Sequence, residues 1–124
     1  MNPAEKISLY ERLGRFDGIT RIVHDVMANH LANPAVRTRF EASKDLDHAK
    51  KMAVEFFCAG CGGPERYTGR DLLVAHQGMN ISEQEYMAAM DDILAALAKH
   101  EIDSGTQGEV TAILYSLKGQ IIRV

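Results

Sequence analysis

The chain has 124 residues, a length that suits one domain with a single core or one enclosed cofactor. It carries 14 Lys and Arg against 17 Asp and Glu, and no basic stripe, which argues against a nucleic-acid partner. It has no apolar run near the about 18 residues that span a membrane, no secretory-type leader and only two cysteines, so we expect a cytoplasmic protein without a disulfide framework.

Helical periodicity dominates the first half of the chain. A short helix is predicted over residues 8–13, closed by Gly14. A long helix follows and ends before Pro34, because proline disfavours helical geometry in the residue that precedes it. A second long helix is predicted over residues 46–57 and ends in the glycine-rich turn at residues 60–64. The first long helix buries one face, formed by Ile19, Ile22, Val23, Val26, Met27, His30 and Leu31.

Two further helices are predicted in the second half. Ser82 and Glu85 have the spacing of an N-terminal capping box. The apolar stripe behind that box is Tyr86, Ala89, Met90, Ile93, Leu94 and Leu97, and the last stripe is Val110, Ile113, Leu114, Leu117 and Ile121. No convincing two-residue period appears, so the predicted fold class is all-α, with one domain over residues 1–124.

Residues 60–81 form the unusual part of the chain, since compact domains rarely keep some 20 residues outside long elements without a functional reason. Only residues 70–76 could form a short helix, and that helix would end at His76. No zinc-type His and Cys spacing accompanies His76, which argues against a metal site made of protein ligands alone. Haem needs only one axial imidazole from the protein, so a lone histidine fits it.

Four motifs support a family resemblance. They are LYERLG at residues 9–14, Phe40, VEFF at residues 54–57 and GGPERYTGRDLLVAHQGMNIS at residues 62–82. On these motifs the chain resembles the truncated (two-over-two) haemoglobins, most closely their first group. The resemblance implies a reduced globin fold, in which two antiparallel helix pairs enclose haem b and residues 60–81 carry the proximal iron ligand.

The resemblance also implies roles for individual residues. His76 matches the proximal iron ligand, bound through Nε2 while Nδ1–H meets a backbone carbonyl. Phe40 matches the phenylalanine on the porphyrin face, and Arg66, Tyr67 and Arg70 could reach the haem propionates. The other positions of the family's pocket are Met52, Phe56, Phe57, Met79, Ile81, Tyr86, Ala89 and Leu114. For Phe57 and Tyr86, plain core packing is an equally good interpretation.

The distal side departs from the family pattern. Met27 stands where first-group members usually place a tyrosine, and the facing positions of the next helix are Ala49, Met52 and Ala53, with His48 beside them or on one of them. Three hypotheses stay open: an apolar pocket, His48 as donor or sixth ligand, and a thioether sixth ligand from Met52. The first is favoured, and loss of a donor to a charged ligand costs about 1.5–3 kcal/mol.

The resemblance implies reversible binding of a diatomic gas, O2, CO or NO, at ferrous iron. The enzymatic alternative is nitric oxide dioxygenation, which would need a reductase, since no flavin or nicotinamide motif is present.

A thiol–disulfide protein is disfavoured, because Cys58 and Cys61 fall at the end of a helix, where the dipole opposes a thiolate. A c-type haem attachment fails because Gly62 follows Cys61. His24, His30 and His100 are expected on helix surfaces or ends, without a role.

Overall fold

Helices account for nearly all of the regular structure. The computed structural model describes residues 7–124, and within that part of the chain no named strand is found beside the helices. The seven α-helices are α1 Leu9–Arg12, α2 Arg15–Ala32, α3 Arg37–Glu41, α4 Leu46–Gly60, α5 Leu72–His76, α6 Glu83–Lys99 and α7 Ser104–Leu117, followed by a 3-10 turn at Lys118–Gln120. The all-α prediction is confirmed.

The helix ends follow from local chemistry. α2 ends at Ala32, where Asn33 is extended ahead of Pro34. α6 begins with the predicted capping box, in which Ser82 Oγ accepts from Glu85 N at 3.0 Å and Glu85 Oε1 accepts from Ser82 N at 3.1 Å. α7 begins well before its apolar stripe, because the carboxylate of Asp103 accepts from Thr106 N at 3.0 Å. It ends at Leu117, so the last turn of the predicted stripe is not α-helical.

The core is built around α2, which packs against both α4 and α6. α2 contributes the apolar face that its periodicity predicts, and the central side chains, such as Ile19 and Val23 at 2% exposure, have almost no contact with solvent. Both cysteines belong to this core, with Cys58 at 0% and Cys61 at 7% exposure. Two long helices thus flank α2, and most of the segment between α4 and α6 lies outside the main core.

A buried polar cluster joins α2 to α6. His30 is 6% exposed, and its Nδ1 lies 2.8 Å from Asp92 Oδ2. Asn33 Nδ2 donates to both oxygens of the same carboxylate at 3.1 Å, and Asn29 Nδ2 donates to the Asp92 carbonyl at 3.0 Å. The other face of the His30 ring stacks on Phe40, with the ring centroids 4.5 Å apart. This one histidine therefore ties α2 to α6 and also to α3.

The three histidines that were given no role differ in their surroundings. His24 is exposed, and His100 caps the end of α6, where its Nε2 lies 2.6 Å from Asp25 Oδ2. For His30, burial on the α2 face is confirmed, whereas the expectation of a surface position is wrong. The reason is its partner Asp92, which lies 62 residues away and leaves no mark on local periodicity.

A second polar contact joins α3 to the start of α6. Arg39 Nε lies 2.7 Å from Glu85 Oε2, and Nη2 lies 3.1 Å from Oε1, a bidentate pair. The hydrogen bonds from Arg39, followed by the bond from Ser82 N, lower the pKa of the Glu85 carboxyl to about 2. Because the pKa is lower in the folded than in the unfolded chain, this carboxylate stabilises the fold above the unfolded pKa of about 4.3 and ceases to do so as the pH falls toward 2.

We expect His30→Ala to lower the free energy of unfolding by about 2–3 kcal/mol, since it removes a hydrogen bond to a buried carboxylate and the stacking on Phe40. Urea denaturation measures the change. His24→Ala, on the exposed side of the same helix, is the matched control and should change stability by about 0.5 kcal/mol or less. Equal losses in the two variants would contradict the structural role of the His30 cluster.

The free energy of unfolding should fall between about pH 5 and pH 2.5 as Glu85 is protonated, and we expect this fall to be about 1–2 kcal/mol smaller in Glu85→Gln, which has no carboxylate to protonate. The effect is limited to this size because solvent screens part of the pair. Thermal or urea unfolding across this range measures the slope. Glu41→Gln, which removes the exposed partner of Arg37 at 3.4 Å, is the control. An acid limb as steep in Glu85→Gln as in the unchanged protein would show that this pair does not contribute to acid unfolding.

Candidate functional site

His76 is the last residue of α5, a helix of five residues in the segment between α4 and α6. Its Nδ1 lies 2.8 Å from the carbonyl oxygen of Leu72. A carbonyl can only accept, so Nδ1 carries the proton and the lone pair of the neutral ring is on Nε2. No group of residues 7–124 hydrogen-bonds this Nε2. The local fold thus presents one imidazole nitrogen in the form that binds a metal ion.

A cavity of about 160 Å³ opens on the His76 side of α5. It receives side chains from α3, from the loop after His76, from α6 and from the chain terminus. Arg39 and Glu85, its charged residues, are paired with each other, so its remaining surface is largely apolar. The residues around it are Val36, Arg39, Phe40, His76, Met79, Ile81, Glu85, Tyr86, Ala89 and Ile121. The structure therefore brings six of the predicted pocket residues together, namely Phe40, His76, Met79, Ile81, Tyr86 and Ala89.

A larger cavity of about 740 Å³ lies between α4 and the segment that leads to α5. α5 contributes Ala75 to it, so this short helix borders both cavities. Polar and charged side chains surround much of this space, among them Lys51 from α4. Five predicted residues line it, namely His48, Ala49, Met52, Tyr67 and Arg70. The two open distal alternatives, His48 and Met52, are thus placed on the same wall.

The turn beside this cavity is anchored by a carboxylate that the sequence did not single out. Glu55 Oε1 accepts from Thr68 N at 2.8 Å and from Thr68 Oγ1 at 2.7 Å. These bonds lower the pKa of Glu55. Tyr67 donates its hydroxyl to the Arg70 carbonyl at 2.6 Å, which closes the turn. The Glu55 contact fixes the approach to α5 against α4.

The other predicted residues lie apart from these two cavities. Phe56, Phe57 and Leu114 meet in a narrow crevice between α4 and α7, and Phe57 also packs against the main core. Met27 is 4% exposed and Ala53 packs against the core; neither lines the two cavities described above. The distal roles of Met27 and Ala53 stay predictions, and in this structure both side chains pack in or against the main core.

Sequence reasoning missed Arg39 as a residue of the site. Arg39 directly precedes Phe40, and Glu85 was recognised only as part of a helix cap. Their contact spans 46 residues, so local patterns could not indicate it. Val36, which is 3% exposed, carries no motif that would have marked it as a cavity residue.

The two cysteines are poorly suited to redox chemistry. Cys58 lies in the last turn of α4 and Cys61 caps that helix, as predicted. Burial raises the pKa of each thiol to about 11, so both are protonated at neutral pH. Because the thiolate is the reactive form, this environment disfavours a dithiol oxidoreductase.

Two other features are absent from the part of the chain that the structure describes. Within residues 7–124, no group of three or more His, Cys, Asp or Glu side chains is arranged to hold a metal ion. In the same part of the chain, no helix has the length and apolar character that crossing a membrane requires.

Comparisons with known proteins identify the family of the chain. The family model described as bacterial-like globin matches residues 8–123. The Group 1 truncated hemoglobin GlbN of Mycolicibacterium paratuberculosis is 28% identical over 118 residues, which cover 95% of this chain and 86% of the relative. The Group 1 truncated hemoglobin of Tetrahymena pyriformis is 26% identical over 107 residues, covering 86% and 88% of the two chains.

Solved structures extend the likeness to the fold. The Fe(III) form of the Tetrahymena pyriformis truncated hemoglobin superposes with a TM-score of 0.91 at 24% identity, covering 95% of this chain and all of that one. The Group II truncated hemoglobin from Bacillus anthracis gives a TM-score of 0.84 at 17% identity, covering 95% and 92%. The likeness to these structures concerns the fold, whereas the family model matches almost the whole sequence. The chain therefore belongs to the bacterial-like globin family, and its fold is that of the truncated haemoglobins.

Proposed function

We propose that the protein holds haem b through His76 and reversibly binds a diatomic gas, O2, CO or NO, at the iron. Haem binding is a property of the globin family. The observation that carries the proposal is a single imidazole on the wall of a largely apolar cavity. Its Nδ1 lies 2.8 Å from the Leu72 carbonyl, and its Nε2 has no hydrogen-bond partner among residues 7–124. When bound, haem would supply the ferrous iron at which the gas binds.

The donor set fits haem better than a bare metal ion. Zinc sites take three or four protein ligands, whereas haem brings four nitrogens of its own and needs one or two from the chain. The charged residues that line the cavity beside His76 are Arg39 and Glu85, which form a closed pair, and the hydroxyl of Tyr86 donates to the Leu114 carbonyl. A single imidazole nitrogen beside an apolar surface therefore supplies what haem needs from the protein, namely one ligand for the iron and an apolar surface for the porphyrin.

The surrounding residues would bind, orient and shield the cofactor. Phe40 lines the same cavity as His76, and stacking on His30 holds its ring in one orientation. Met79 and Tyr86 line the same wall and exclude water, and the Tyr86 hydroxyl donates to the Leu114 carbonyl at 2.5 Å, so its polar end is satisfied. On the larger cavity, Arg70 supplies a cation that suits a propionate.

The distal chemistry depends on α4. Ala49 adds only a methyl group to the larger cavity, while His48 and Met52 supply the two groups there that could bind iron. We infer that gas binding occurs at a site without a strong protein donor and that these two side chains compete with the gas at most weakly. Nitric oxide dioxygenation stays a prediction without a specific observation in its favour.

We expect His76→Ala to lose haem at least about tenfold faster than the unchanged protein, because the only axial nitrogen of this cavity is removed. Haem content per chain and the rate of haem transfer to an acceptor apoglobin are the measurements. His24→Ala is the matched control, because it also replaces one histidine by alanine, and it should retain haem. Full haem content with an unchanged spectrum in His76→Ala would show that His76 is not the ligand.

We expect the ferrous protein without added gas to give one broad visible band, the spectrum of a site without a sixth protein ligand. Split, sharp bands would contradict this and indicate that α4 supplies the sixth ligand. The pair His48→Leu and Met52→Leu then identifies it, because the variant that lacks the ligand would revert to the broad band. Both side chains line the same cavity, so each variant serves as the control for the other.

A further inference from the structure

The loop that follows His76, residues 77–81, is held by an unusual number of outside contacts. α5 has only five residues, and a helix that short is not stable by itself. Within the loop, Gly78 has φ +88° and Asn80 has φ +51°, both in the left-handed region that costs energy for most residues. The position of His76 therefore depends on what holds this loop.

Met79 links the loop to His76 through the backbone. Its N–H donates to the carbonyl of His76 at 3.0 Å. Its own carbonyl accepts from Arg39 Nη1 at 2.9 Å. Two hydrogen bonds in series thus connect the guanidinium of Arg39 on α3 with the backbone of His76 on α5.

Arg39 is in turn fixed by Glu85. Nε and Nη2 bind the two carboxylate oxygens, and Nη1 binds Met79, so all three guanidinium nitrogens are engaged. Glu85 is itself anchored by the capping box with Ser82, and its lowered pKa keeps it charged at neutral pH. Three of the five N–H groups of Arg39, one on each nitrogen, are thus engaged within the protein, although this side chain also lines the cavity beside His76.

The chain terminus holds the same loop from another direction. The Val124 carbonyl accepts from Gly78 N at 3.1 Å and from Asn80 N at 3.3 Å. Arg123 N donates to the Ile81 carbonyl at 2.9 Å. These contacts are made by backbone groups, and the Arg123 side chain adds an exposed one, from Nη1 to Asn80 Oδ1 at 3.3 Å. The contact from Arg39 to the Met79 carbonyl is shorter and partly buried, so Arg39 is the side chain through which we alter the loop.

We propose that Arg39 and Glu85 form a positioning clamp for His76, which sets where the imidazole stands relative to the cavity. The clamp rests on the proposed function, because it acts on the haem ligand. It adds to that function a reason for the position of His76, namely an ion pair that acts on this residue through the backbone of Met79. Arg39 and Glu85 are positioning residues, since their effect passes through Met79.

Three variants separate positioning from stability, all studied as the haem-loaded full chain. Arg39→Gln removes the ion pair and most of the contact with Met79. Arg39→Lys keeps the charge, but one ammonium group cannot span both carboxylate oxygens and the Met79 carbonyl as the guanidinium fork does. Arg37→Gln is the matched control, because Arg37 is on the same helix in an exposed pair with Glu41.

The decisive readout is the iron–histidine stretching frequency, measured by resonance Raman spectroscopy just after photolysis of the CO complex. Just after photolysis His76 would be the one protein ligand of the iron, whatever ligand α4 supplies at rest. We expect Arg39→Gln to shift this frequency and to speed haem loss about tenfold, which equals about 1.4 kcal/mol. Arg39→Lys should shift the frequency with little change in melting temperature, and Arg37→Gln should change neither quantity.

The clamp would be refuted by an unchanged frequency in Arg39→Gln, or by faster haem loss that merely follows a lower melting temperature without a frequency shift. Failure of the clamp is distinguishable from failure of the proposed function. If His76→Ala keeps haem, the proposed ligand is wrong. If His76→Ala loses haem while Arg39→Gln behaves like Arg37→Gln, only the clamp is wrong.

Discussion

The hydrogen bond between His76 Nδ1 and the Leu72 carbonyl joins the last residue of α5 to the first. It fixes both the tautomer and the orientation of the ring, and it costs the fold little because the two groups are one helical turn apart. Everything else around the site preserves this contact. Among the described residues that line the His76 cavity, Arg39 and Glu85 are paired with each other, and the Tyr86 hydroxyl donates to the Leu114 carbonyl. The other residues of this lining are apolar, so none of them competes for the imidazole.

A five-residue helix cannot maintain that geometry alone, and the segment between α4 and α6 is therefore fastened at both ends. Before α5, Glu55 on α4 binds Thr68 through two hydrogen bonds. After α5, Arg39 and the Val124 carbonyl bind the loop. The long helices are stabilised mainly by packing of their apolar faces, whereas this irregular segment depends on specific hydrogen bonds for its order.

Local patterns in the sequence were sufficient for the framework. Apolar periodicity, Pro34 and the Ser82 capping box located the long helices, and the turn residues around His76 singled out the ligand candidate. The contacts that shape the site could not be predicted in the same way. His30 with Asp92 and Arg39 with Glu85 join residues 62 and 46 positions apart, and no local propensity encodes a pairing between surfaces that meet only after folding.

α3 shows how these distant pairs act together. Phe40 stacks on His30, which the α2–α6 cluster holds in place, while its neighbour Arg39 reaches the start of α6. One five-residue helix thus presents an aromatic ring to the cavity and a cation to the loop after His76. His30, which stacks on Phe40, is bonded to Asp92 of α6, and Glu85, which pairs with Arg39, belongs to α6 itself. A change at His30 should therefore be coupled energetically to a change at Arg39, as expected for residues of one connected network. The core between α2 and α6 and the position of His76 are therefore parts of one packing arrangement.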